Sequence, residues 1–272
     1  MPSFTTSDGV SLHYTDSGAG TPILCLPGLT RNGTDFDYVA PYLSDNRLIR
    51  LDFRGRGKSG HTDPATYVLP VEARDTVELL DHLGLRRTGI LGTSRGGLVA
   101  LMLAASHHDR LLGIALNDIG PEIDPEGLKA IQGYIGRTPA ARTHAEAAAL
   151  MGERMSGFAN VPDERWAEEA RKHFIATSEG LALNYDTAMA NAFRTGQPQP
   201  IPDMWPLFDA TAGLPLALIR GANSDLLSRE TAEEMRRRRP DMIFAEVPDR
   251  GHIPFLDEPE AVRALQDWTR RL

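Results

Sequence analysis

The 272-residue chain contains a single cysteine, Cys25. One thiol excludes an intramolecular disulfide and any metal site built on several thiolates, and leaves Cys25 the reading of a small buried apolar residue. Positive charge is also scarce, with 29 lysines and arginines against 37 aspartates and glutamates, a formal net charge of -8. Binding a nucleic-acid backbone needs a concentrated basic face, so no nucleic-acid partner is expected. The one basic cluster, Arg236-Arg237-Arg238-Arg239, closes a polar helical pattern just before Pro240. There it suits solvent and the negative end of a helix dipole. No stretch approaches the roughly 18 consecutive apolar residues that span a bilayer. The N-terminus lacks the basic start and apolar core of a secretory signal. A cytoplasmic protein without a membrane partner is the expectation.

What is present is an alternation of short apolar runs and helical patterns. Residues 10–15, 22–26, 47–51, 88–91, 111–117, 216–219 and 242–247 read as strands. Residues 71–83, 97–105 and 258–272 carry apolar side chains at helical spacing. Strand and helix in turn, with mostly continuous apolar strands, imply a largely parallel sheet covered by helices on both faces. Between about 121 and 206 the pattern changes to helical stretches, including residues 140–155 and 163–175, without convincing strands. Residues 195–202 read as a loop returning to the main fold. The expected organisation is therefore an α/β core of residues 1–120 and 207–272, with residues 121–206 inserted as a helical cap.

One junction carries chemistry. Gly92-Thr93-Ser94-Arg95-Gly96 fits G-x-S-x-G between a strand and a helix, where glycines on either side let the chain turn sharply enough to hold the serine hydroxyl above the sheet edge. The amide of Arg95 opens the helix and points toward the same spot, where an oxyanion would develop. A serine nucleophile needs a base, and Asp249-Arg250-Gly251-His252-Ile253-Pro254 places His252 in a loop after the last strand. The other histidines, His13, His61, His82, His107, His108, His144 and His173, stand in polar or helical surroundings and read as surface residues. The turn Pro27-Gly28-Leu29 after an early strand offers the Leu29 amide as a second oxyanion donor.

These motifs together resemble the α/β-hydrolase superfamily, in its branch with a helical cap between the sixth and seventh strands of the sheet. The resemblance covers nearly the whole chain: Pro27-Gly28-Leu29 for the oxyanion loop, residues 52–59 for the loop after the next strand, Gly92 to Gly97 for the nucleophile elbow, and Gly251-His252 for the base. One departure is visible, since many relatives carry His-Gly where this chain has Pro27-Gly28. The resemblance leaves two seats for the acid. Relatives most often place it three residues past a glycine after the seventh strand, but counting from Gly221 reaches Ser224, with Asp225 one place late. The second seat, at the end of the sixth strand, holds Asp118, 24 residues after Ser94. Asp118 is favoured because a one-residue shift in a tight turn re-aims a side chain. Asp225 is the alternative. Each has a plainer reading, Asp118 as a turn residue and Asp225 as the cap of the next helix, a role Ser228 fills equally well.

The expected function is a serine hydrolase cleaving a small or medium carboxylic ester or lactone through an acyl-enzyme on Ser94, with no metal or cofactor. Hydrolysis of carbon–carbon or amide-type bonds in ring-compound degradation, and a non-catalytic ligand receptor on the same fold, are the alternatives. A serine in place of aspartate speaks against alkyl-enzyme chemistry. Arg31 and the Arg95 side chain are candidates to attract a substrate carboxylate, against the plainer reading of arginines paired with acidic neighbours. Met151, Met155, Phe158, Trp166, Phe174, Met189 and Phe193 are expected to line the pocket or to pack the cap helices. Oligomeric state is not legible.

Overall fold

The protein is described here as a computed structural model covering residues 2–155, 157–191 and 203–272. Phe193 and the expected loop at 195–202 lie outside the described residues. The main sheet is built from β1 Ser3–Thr5, β2 Ser11–Ser17, β3 Pro22–Leu26, β4 Arg47–Leu51, β5 Thr88–Thr93, β6 Leu111–Asn117, β9 Leu216–Gly221 and β10 Ile243–Val247. Their order is β1-β2-β4-β3-β5-β6-β9-β10. β1 and β2 pair antiparallel, as do β2 and β4; every other neighbouring pair is parallel. The short edge strand β1 was not expected from the sequence, being too brief to show a period.

The helices are α1 Leu69–His82, α2 Arg95–Ser106, α3 Pro125–Tyr134, α4 His144–Arg154, α5 Asp163–His173, α6 Trp205–Asp209, α7 Arg229–Arg238 and α8 Pro259–Thr269. Successive strand side chains point to opposite faces, and β3 shows the consequence. Leu24 and Leu26 pack with Leu79 and Leu80 of α1 and Val99 and Leu103 of α2. Ile23 and Cys25 pack on the other side with Leu265 and Trp268 of α8. Cys25 is fully buried, and burial pushes its thiol up to about 12. That makes it a core residue with almost no thiolate at neutral pH.

An insertion joins β6 to β9, the sixth and seventh strands of the sheet in chain order. It is not wholly helical. The expected helix over 163–175 ends at His173, and the chain continues as an antiparallel hairpin of β7 Phe174–Thr177 and β8 Gly180–Leu183. Phe174, Ile175 and Thr177 favour strand over helix, and Gly180 closes the turn at a φ of 128°, a conformation that suits glycine. The hairpin's exit is tied to the core. The Gly57 amide donates to the Asn184 carbonyl at 3.0 Å, and the Asp186 amide donates to the Gly55 carbonyl at 2.8 Å. Among the described residues no helix is long and apolar enough to cross a membrane.

Candidate active site

The parallel strands end at one edge of the sheet, where β5 turns into α2. Ser94 holds that turn at φ 49° and ψ −114°, a strained combination for a residue with a side chain. The strain is sustained by close packing on both sides. A Cβ on Gly92 would lie 2.6 Å from the backbone of Gly96 and Gly97, and one on Gly96 would overlap the Leu26 carbonyl of β3. The glycines two before and two after Ser94 are therefore required by sterics. Gly96→Ala is expected to lower the stability of the fold by about 3 kcal/mol or more, read as an earlier midpoint in urea unfolding; an unchanged midpoint would contradict this account of the turn.

Ser94 meets a relay of two further side chains. The His252 Nε2 lies 3.0 Å from Ser94 Oγ, and its Nδ1 lies 2.7 Å from Asp118 Oδ2. His252 stands in the loop between β10 and α8, fastened by Glu258, which accepts from the Arg250 Nε at 2.7 Å and from the amides of Phe255 and Leu256 at 3.1 and 2.8 Å. The Asn117 side chain adds a hydrogen bond to the Pro254 carbonyl at 3.2 Å. Asp118 is fully buried just past β6. Buried charge must be matched by hydrogen bonds, and Asp118 receives them: the Gly221 amide donates to Oδ1 at 2.8 Å, and the Ser224 hydroxyl donates to Oδ2 at 2.6 Å. Ser224 Oγ itself accepts the Leu227 amide at 3.1 Å, so its one proton is left for the carboxylate.

The residue at the seat after β9 is thus a serine that donates to Asp118 rather than a carboxylate. Asp225, next to it, is exposed and lies on a cavity wall, and among the described residues it has no hydrogen bond to His252. Nor does Asp225 cap α7: the Ser228 side chain accepts the Thr231 amide at 3.0 Å and does so.

The oxyanion candidates sit on either side of Ser94. Arg95 is the first residue of α2. Gly28 packs against Ser94, with its would-be Cβ 3.9 Å from the Ser94 Cβ. The Gly28 carbonyl accepts the Arg31 amide at 3.2 Å, which in a trans peptide turns the Leu29 N–H to the opposite side. The Leu29 carbonyl accepts from Arg56 Nε at 2.9 Å.

Both arginines expected near the pocket spend their charge inside the protein. Arg95 Nε donates to Glu72 at 2.6 Å, and its terminal nitrogen donates to the Tyr67 carbonyl at 2.9 Å. Arg31 bonds Asp35 at 2.6 Å and Glu169 at 2.8 Å. Burial opposes charge on Glu169, but Arg31, with His173 and Lys172, holds its carboxyl well below the usual range. Arg31 still lines the cavity beside Ser94, but as half of a matched pair.

That cavity has a volume of about 390 Å³. The core contributes Leu29, Ser94 and His252 to its wall; the insertion contributes Met151, Met155, Phe158 and Phe174. Trp166 is buried behind them, its ring 5.8 Å from that of Phe158. Met189 packs elsewhere, with Tyr67 and Tyr185. Two further wall residues are Arg154, which the sequence reading did not single out, and His173, which it placed on the surface. Arg154 was legible in principle, because it falls three residues after Met151 and shares a helix face with it. A separate, more polar cavity of about 560 Å³, with His13, Asp52 and Arg171 in its wall, does not include Ser94 or His252. Among the described residues no group of three or more histidine, cysteine or acidic side chains is placed to hold a metal ion.

A sheet of this order, with a serine on a strained strand-to-helix turn facing a histidine from the loop after the last strand, defines a hydrolase architecture. The chain belongs to the α/β-hydrolase fold family, whose model matches residues 21–259. It is similar to a 3-hydroxybutyrate-oligomer hydrolase of Cupriavidus necator, 36% identical over 91% of this chain and 88% of that protein. It is also similar to an N-formylmaleamate deformylase of Pseudomonas putida, 27% identical over 97% of this chain and 94% of the relative. A crystal structure of an α/β hydrolase from Novosphingobium aromaticivorans superimposes with a TM-score of 0.93 at 38% identity, covering 100% of this chain and 98% of that one.

Proposed function

We propose that this hydrolase cleaves small or medium carboxylic esters through an acyl-enzyme on Ser94. The observation that carries the reading is the continuous relay from Ser94 Oγ through His252 to Asp118, at 3.0 and 2.7 Å. In this reading His252 takes the Ser94 proton as Oγ attacks the ester carbonyl, and Asp118 fixes the imidazole tautomer and balances its charge. The amides of Leu29 and Arg95 stabilise the oxyanion. His252 then gives its proton to the departing alcohol and activates the water that releases the acid. Residues 121–206 act as a cap over the pocket. A cavity of about 390 Å³ suits a small or medium ester or lactone. Likeness to the 3-hydroxybutyrate-oligomer hydrolase supports ester chemistry, since an oligomer of a hydroxy acid is a chain of esters. Likeness to the deformylase favours a second reading, in which the same acyl transfer breaks an amide-type bond.

The test is hydrolysis of 4-nitrophenyl esters from acetate to dodecanoate, set beside N-formyl amides. Turnover that depends on Ser94 and falls off with the longer acyl chains is the expected result. Turnover of amides alone would move the protein to the second reading, and no Ser94-dependent turnover of either class would sink both.

A further inference from the structure

We infer that Arg154 recognises a free carboxylate on the substrate, so that the preferred substrates are esters bearing an ionised acid group; this rests on the hydrolase reading above. Four basic side chains stand on the cavity wall: Arg31, Arg154, His173 and His252. Three of them face a carboxylate. Arg31 is held between Asp35 and Glu169, His173 lies 3.3 Å from Glu169, and His252 lies 2.7 Å from Asp118. Among the described residues Arg154 alone of the four has no acidic partner. Its place as the last residue of α4 accounts for a favourable interaction with the helix dipole. It does not account for a position on the wall of the cavity that holds the nucleophile.

The wall also carries an acidic side chain. Asp225 lies on the same cavity, its backbone packed against Gly127 of α3. Arg154 ends α4, so on this wall a carboxylate stands beside α3 while a guanidinium without an acidic partner among the described residues stands at the end of α4. Between them the wall is apolar at Ile131, Met151, Met155 and Phe158. A ligand with an apolar middle and an anionic end is drawn by Arg154 and repelled by Asp225, which orients it in one sense only. Guanidinium also suits the carboxylate geometrically, through two parallel N–H donors.

The experiment compares kcat/KM for ionised esters and their neutral counterparts, with the carboxylate on either side of the scissile bond. One pair is the mono-4-nitrophenyl ester of glutaric acid and its methyl diester. The other is 3-butyryloxybutyrate and its methyl ester, followed by release of butyrate. Arg154 is exposed, so solvent limits the effect, and a preference of about five- to tenfold for the acid is expected in at least one pair. That preference should fall to within about twofold of unity in Arg154→Gln, invert in Arg154→Glu, and shrink in wild type as salt rises. Thermal unfolding of each variant serves as the check on folding. Equal rates on acid and neutral ester in both pairs, or a preference that survives Arg154→Gln, overturns the inference. If none of the four compounds is turned over in a Ser94-dependent way, the ester-hydrolase reading fails instead.

Discussion

Ser94→Ala is expected to lower kcat on every ester the protein hydrolyses by about 10⁴-fold or more, because a nucleophile, its base and its acid act as a unit and the loss of one member removes most of what the three achieve together. KM should move little, since the methylene that remains fills nearly the same space and the oxyanion donors stay in place. Alanine can be held in the same turn, so the thermal unfolding midpoint should stay close to that of wild type. Steady-state kinetics on a short 4-nitrophenyl ester, with calorimetry on the same samples, gives both numbers. A residual rate within about tenfold of wild type in the folded variant would mean that another group attacks the carbonyl.

The second large effect separates the two aspartates. Asp118→Asn keeps the shape of the side chain but offers an amide N–H where His252 Nδ1 now finds a carboxylate oxygen at 2.7 Å. Two donors cannot face each other, so the imidazole is driven to the tautomer that carries its proton toward Ser94 and can no longer accept one. A fall of about 10⁴-fold in kcat is expected at neutral pH. Asp225→Asn should change the rate on a neutral ester by less than about threefold, because Asp225 is exposed and His252 is already bonded to Asp118. Side-by-side kinetics of the two variants decide the matter: a collapse in Asp225→Asn with Asp118→Asn near wild type would move the acid to the other loop.

The contrast between those aspartates shows what a sequence reveals and what it withholds. The turn at Gly92, Ser94 and Gly96 was legible because strand and helix patterns flank it on both sides and Gly92 makes room for backbone one turn away, although Gly96 answers to the more distant Leu26 of β3. The meeting of His252 with Ser94 was legible by position, His252 being the histidine in a loop after the last strand. The aspartate on the far side of its ring was harder. Asp118 and Asp225 each follow a strand, and only the fold shows that β6 and β9 are neighbours, which brings Ser224 within 2.6 Å of Asp118. The partners of the two arginines were hidden for the same reason. Glu169, which holds Arg31, is 138 residues further along the chain, and no periodicity links them. The hairpin β7–β8 was hidden because four-residue strands carry too little alternation to stand out from the end of a helix.

The buried carboxylate Glu72 ties together parts of the molecule that sequence keeps far apart. From α1 it bonds Arg95, which opens the helix behind Ser94, and it pairs at 3.0 Å with Arg56, whose guanidinium also grips the Leu29 carbonyl. Burial brings Arg56 down to about 10, still well above neutrality, so the grip is ionic under ordinary conditions. The spacing between the two amides assigned to the oxyanion is thus governed by a brace whose side chains all come from the core. An engineer grafting a foreign segment between β6 and β9 would change the shape of the chamber while the reactive geometry travelled with the scaffold. Such chimeras offer a route to new substrate preferences on an unaltered chemical engine.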